Sequence, residues 1–139
     1  MSIRQTVTIT ILLTLMLGLL PLAGCGGVDT TQHLGRWTGA DPDMDQQVTF
    51  EFREGGVLAM IVGPMTIEGT YTIDYTTTPI QVSMTMAVFG PEDTTYGIAE
   101  FVDANTLRIA AGDDTPDSRP ASFADASANE IIELKRQTQ

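Results

Sequence analysis

Period-two alternation of apolar and polar residues is the feature that most constrains this chain. In residues 46–53 (QQVTFEFR), Val48, Phe50 and Phe52 fall on one side, and Thr49, Glu51 and Arg53 on the other. In residues 80–88, Ile80, Val82, Met84, Met86 and Val88 oppose Gln81, Ser83 and Thr85. Successive strand side chains point to opposite faces, so each run reads as a strand with one buried side. Residues 66–74 (TIEGTYTID) repeat the pattern through Ile67, Tyr71 and Ile73, with Gly69 between. Residues 57–62 (VLAMIV) are apolar on both faces, so periodicity leaves their inward side open.

Turn residues punctuate these runs. Glu54-Gly55-Gly56 predicts a hairpin, Gly63-Pro64 a break, residues 75–79 (YTTTP) a loop and residues 90–93 (GPED) a turn. Further strands are expected at 34–38, 95–102, 106–111 and 129–135, with a loop at 40–45, a tight turn at 103–105 and the longest loop at 112–122. Residues 123–128 are the one stretch suited to a helical turn. The expected class is therefore all-β. About eight short strands run as an antiparallel meander and close into a small barrel, which removes exposed edges. An eight-stranded barrel has an interior that side chains just fill, or that holds one small ligand.

A different signal precedes the strands. Arg4 is the only charge before residues 7–20, a 14-residue uncharged run. The run is shorter than the ~20 apolar residues of a spanning helix and is interrupted by Pro21, which fits the order of a secretory signal. Leu22-Ala23-Gly24-Cys25 then resembles the bacterial lipobox. That resemblance implies cleavage between Gly24 and Cys25 and lipid on the Cys25 thiol. The expected organisation is a helical signal peptide at 1–24, a lipid-bearing cysteine and tether at 25–33, and a barrel domain at 34–136. The mature protein would be held on an envelope membrane, outside the cytoplasm, by acyl chains that each contribute about 0.8 kcal/mol per buried CH₂. Gly26 is not the aspartate that often retains such proteins at the inner membrane.

Cysteine count and charge agree with this placement. Cys25 is the only cysteine, so no intramolecular disulfide can form. Beyond residue 24 there are 115 residues, with six basic residues against 18 acidic ones, a net charge of −12. Such a surface repels phosphate backbones, which excludes nucleic acid as a partner.

A family resemblance rests on ordered short motifs. Gly35-Arg36-Trp37 is a G-x-W on the first strand. Gly69 to Asp74 (GTYTID) with Pro79-Ile80 follows, then Tyr96-Gly97-Ile98, Asp103 to Ile109 (DANTLRI), Arg119-Pro120 with Phe123, and Leu134-Lys135-Arg136. In this order they resemble the small lipocalin-like domain family abundant in planctomycetes, over roughly residues 34–136. Ala99 stands where that family has an aromatic residue, and Phe101 where it has leucine. The resemblance implies an eight-stranded lipocalin-like barrel on an exported protein and no particular activity. It further implies barrel closure by Gly35, Trp37 and Arg136. A basic side chain of the last strand packs across the first-strand tryptophan, and Arg136 shares parity with Ile132 and Leu134. A cation–π contact of that kind contributes roughly 0.5–2 kcal/mol.

Catalytic chemistry finds little support. His33 is the only histidine and falls in the tether, so neither a triad nor a three-ligand nitrogen–sulfur zinc site is available. Asp41-x-Asp43-x-Asp45 opens like a calcium loop, but Gln46 and Phe52 occupy the places of the required Gly and Glu. The acidic loop of Asp113, Asp114 and Asp117 reads equally as solvated surface. No metal, cofactor or enzymatic role is expected. Phe50, Phe52, Val82, Met84 and Met86 are the candidate ligand-lining residues, the alternative being plain core. The leading functional expectation is a structural or interaction role in the envelope. A carrier of a small apolar ligand is the alternative, marked by an open mouth and an internal void.

Overall fold

The computed structural model describes residues 27–138. The signal segment, the cleavage site Gly24/Cys25 and the lipid-bearing Cys25 lie outside the described residues. Eight strands follow one another: β1 Gly35–Asp41, β2 Gln46–Arg53, β3 Val57–Val62, β4 Met65–Asp74, β5 Ile80–Met86, β6 Asp93–Asp103, β7 Thr106–Ala111 and β8 Ile131–Arg136. Each pairs antiparallel with its neighbour, and β1 pairs with β8, giving a closed barrel in sequence order. Among the described residues the only other regular elements are short 3-10 turns. Among the described residues no helix is long and apolar enough to cross a membrane. All ladders and the closing pair lie within residues 35–136, so the barrel contains its own core, and residues 27–138 include every element that closes it.

The alternating residues form that core. Val48, Phe50, Phe52, Leu58, Met60, Val82, Met84, Leu107, Ile109 and Leu134 pack together inside, with Trp37 fully buried. Register resolves the two-faced strand. Phe50 pairs with Met60 and Phe52 with Leu58, so the even-numbered residues of β3 point inward. The outward positions Ala59, Ile98 and Ala110 are also buried. Around Ile98, the segment after β7 lies along the outer wall, where Pro116, Arg119 and Pro120 line a shared groove. Arg119 fastens it, donating to the Val82 carbonyl at 2.9 Å and the Ser83 hydroxyl at 2.9 Å, and also to the Gly97 carbonyl.

Element ends differ from the sequence expectation for local reasons. β1 runs on to Asp41 rather than stopping at residue 38. The Asp41 carboxylate accepts from the Asp43 and Met44 amides at 2.9 and 3.2 Å, so the hairpin tightens beyond it. Gly39 lies where β8 crosses so closely that any Cβ would strike the Glu133 carbonyl. β5 ends at Met86 rather than residue 88, because its ladders to both neighbours end there, at Gly69 and Asp93. Within the stretch expected to hold a helical turn, residues 123–125 form a turn and Ala128 opens the 3-10 turn Ala128–Glu130.

Candidate functional site

The strand order sorts the connections into two ends. Loops after β1, β3, β5 and β7 gather at one end. The other end holds the N-terminal segment, the turns after β2, β4 and β6, and the end of β8.

The second end is closed by side chains. Gly35 begins β1 with φ +111°, a conformation that favours glycine, and this swings the preceding residues under the barrel. Trp37 Nε1 donates to the His33 carbonyl at 2.7 Å. The Arg136 guanidinium carbon sits 4.1 Å from the Trp37 ring centroid. Its nitrogens donate to the carbonyls of Leu34, Gln32 and Ala104 at 2.9, 2.7 and 3.1 Å. Gly35, Trp37 and Arg136 are thus brought together, and the planar guanidinium forks onto three carbonyls as an ammonium could not.

His33 is not tether. It is 6% exposed and lies edge-on to Phe52 and Tyr71. Its Nδ1 is 2.7 Å from Tyr75 Oη and its Nε2 is 2.8 Å from Tyr71 Oη. Tyr71 Oη in turn donates to the Arg53 carbonyl at 2.9 Å. Because Tyr71 Oη donates to the Arg53 carbonyl, it accepts from Nε2–H, and in the neutral imidazole that burial favours Tyr75 donates to Nδ1. Burial holds the His33 pKa below its usual value, against the smaller opposing pull of the Asp29 carboxylate. Burial also raises the Tyr71 phenol and pushes the Tyr75 phenol up to about 12. Sequence reasoning missed this cluster, because its partners lie 38 and 42 residues away and no spacing announces them.

The first end is open. A cavity of about 410 Å³ enters the barrel there, between walls that include Phe50, Met60, Met84, Met86, Ile109 and Ile132. Three expected lining residues, Phe50, Met84 and Met86, face it. Phe52 and Val82 do not, since they lie toward the closed end, near the end of β2 and the start of β5. Met60, Ile109 and Ile132 were not singled out as lining, and register with Phe50 is what places Met60 there. Asp41, Asp43, Asp113 and Glu130 stand around the opening. Beside it, Met44, Met65 and Phe89 line an outer groove, and Phe89 is 80% exposed with φ +56°. The Asp41-x-Asp43-x-Asp45 run forms the rim turn. Among the described residues no three metal-ligating side chains converge.

The volume lies in the range of small-molecule sites, and the methionines give an adaptable apolar lining. No family model, curated protein or solved structure matches the chain.

Proposed function

We propose that this chain is a lipid-anchored envelope protein whose barrel holds one small apolar ligand in its open mouth, without catalysis. The single observation behind the binding reading is the cavity of about 410 Å³ continuous with the apolar interior at Phe50, Met84 and Met86. The pocket is open at its rim and its floor residues Phe50, Met60 and Met84 belong to the packed core, so a ligand would rest in the mouth on that apolar floor. The eight-stranded closed form fits the lipocalin-like expectation. The anchoring part of the proposal rests on the basic start, the apolar run and Leu22-Ala23-Gly24-Cys25.

Native mass spectrometry of the protein recovered from its host envelope tests the binding reading. The expected result is a reproducible added mass, lost on mild activation and absent from Met84→Trp, in which an indole fills the mouth. A bare mass for the native chain, together with no uptake of fluorescent apolar probes, would sink it. Incorporation of labelled palmitate, abolished by Cys25→Ser, tests the anchor.

A second reading has its own support. Phe89, Met44 and Met65 form an exposed apolar patch beside the mouth, as expected of a surface that docks another envelope protein. Retention of a partner by the native chain and its loss in Phe89→Ser, with ligand uptake unchanged, would favour it.

A further inference from the structure

The distribution of charge around the cavity narrows the ligand's chemistry. Every basic side chain beyond residue 26 is engaged away from the mouth. Arg36 pairs with Glu51, Arg53 with Glu51 and Glu68, Arg108 with Glu100, and Lys135 with Glu133. Arg119 and Arg136 are turned onto backbone carbonyls of the outer wall and the closed end. The lining of the mouth contains no Lys, Arg or His, and none of its four carboxylates is in an ion pair among the described residues.

Two of the four have structural duties. Asp41 holds the rim turn, and Glu130 accepts from the Ser127 amide at 2.7 Å. The Asp43 and Asp113 side chains make no hydrogen bond within the described protein. A second groove adjoins the cavity through Met84, Met86 and Val88, and it adds Glu92, Asp93 and Asp114. The site is therefore an apolar pit under a ring of uncompensated negative charge. Low-dielectric walls focus such a field at an opening.

We infer that the ligand is a cationic amphiphile, with its apolar body among Phe50, Met60 and Met84 and its positively charged head at the rim by Asp43 and Asp113. This rests on the binding reading above and goes beyond it by assigning the sign of the head group. A fatty acid or other anionic amphiphile would bring like charge to the ring and is disfavoured. A neutral chain would gain the apolar burial alone.

The test uses the barrel domain, residues 27–139, and three probes with the same ten-carbon chain: decyltrimethylammonium, decanol and decanoate, each below its micellar concentration in isothermal titration calorimetry. The expected order is cation, then alcohol, then carboxylate, with the cation about tenfold tighter than the alcohol at low salt and the gap closing as salt rises. Asp43→Asn with Asp113→Asn reduces cation affinity several-fold and leaves decanol binding unchanged. Glu54→Gln, at the closed end, leaves both unchanged. Met84→Trp abolishes binding of cation and alcohol alike. Decanol binding as tightly as the cation, or rim neutralisation without effect, overturns the inference and leaves the apolar-ligand reading standing. Cation binding that survives Met84→Trp is counter-ion attraction to an acidic surface and overturns it too. No binding of any of the three overturns both.

Discussion

At the residue scale, His33 links the N-terminal segment to the barrel through two phenols, and its neutrality has a consequence in pH. An unfolded chain protonates histidine around its ordinary value of 6.5, whereas burial holds folded His33 below that. The unfolded state therefore binds more protons between the folded pKa and 6.5. Stability contributed by neutral His33 is fully present above pH 6.5 and is lost as pH falls through that window. Glu51, Asp74 and Asp103 also have lowered pKa values, from hydrogen bonds to Arg53 and Arg36, to Thr76, and to Asn105 and Thr106 respectively. Their contributions fade only below their unfolded values of 4.5 and 3.8, so the two effects separate. Urea unfolding of the native chain should lose stability between pH 7 and 5.5, while His33→Phe is flat there. Equal slopes would show that His33 titrates in the folded protein as it does in the unfolded chain. At pH 7.5, His33→Ala is expected to cost about 2–3 kcal/mol, since it strips the buried Tyr71 and the half-buried Tyr75 phenols of their partner.

Arg136 works at the same scale with a different logic. Arg136→Met keeps an apolar stem over Trp37 but leaves three carbonyls without their donor. A loss of about 2–4 kcal/mol is expected, and Arg136→Lys should recover less than half of it because an ammonium cannot fork. Full rescue by lysine would mean that charge alone closes this end.

At the element scale, barrel closure hangs on a short seam. β1 and β8 pair only at Trp37 with Arg136 and Thr38 with Lys135, against seven paired positions between β1 and β2. Gly39 makes the close crossing beside that seam possible. Gly39→Val should part the two strands, cost roughly 2–4 kcal/mol in chemical denaturation and expose two edges that promote association. A monomeric variant of native stability would show that β8 can shift to accommodate a side chain. How much of this architecture was legible varies by element for physical reasons. The cores of β2 and β5 stand out in the sequence because one face is wet and the other dry. The even face of β3 was not legible, since Ala59 and Ile61 are apolar too, and only pairing with Phe50 and Phe52 fixes it. Strand ends are set by ladder partners and by turn hydrogen bonds such as those of Asp41, which local pattern does not carry. The lining at Phe50, Met84 and Met86 followed from alternation. Depth along the barrel axis did not, so Phe52 and Val82 were expected in the cavity and lie below it. His33 was illegible because it is defined wholly by long-range contacts.

At the scale of the whole molecule, the two ends differ in what they touch. The N-terminal segment enters at the closed end, pinned there by Arg136 on the Gln32 and Leu34 carbonyls. The cavity opens at the opposite end, between the loops after β1 and β7. If Cys25 carries lipid, as proposed, the six residue steps from Cys25 to Thr31 span at most roughly 20 Å when fully extended. The closed end is then held near the bilayer and the mouth faces away from it, so a ligand enters from the compartment rather than laterally from the membrane. The mouth's carboxylates point the same way, because they would be repelled by anionic headgroups. The proposed acylation would consume the only native thiol, so a single added cysteine can report position. Spin labels at Glu54→Cys, in the turn after β2, and at Glu92→Cys, in the loop after β5, should relax differently on vesicles bearing nickel-chelating lipids. Strong broadening is expected at residue 54 and weak broadening at residue 92. The reverse order, or equal broadening, would place the mouth against the membrane and make the bilayer itself the source of the ligand.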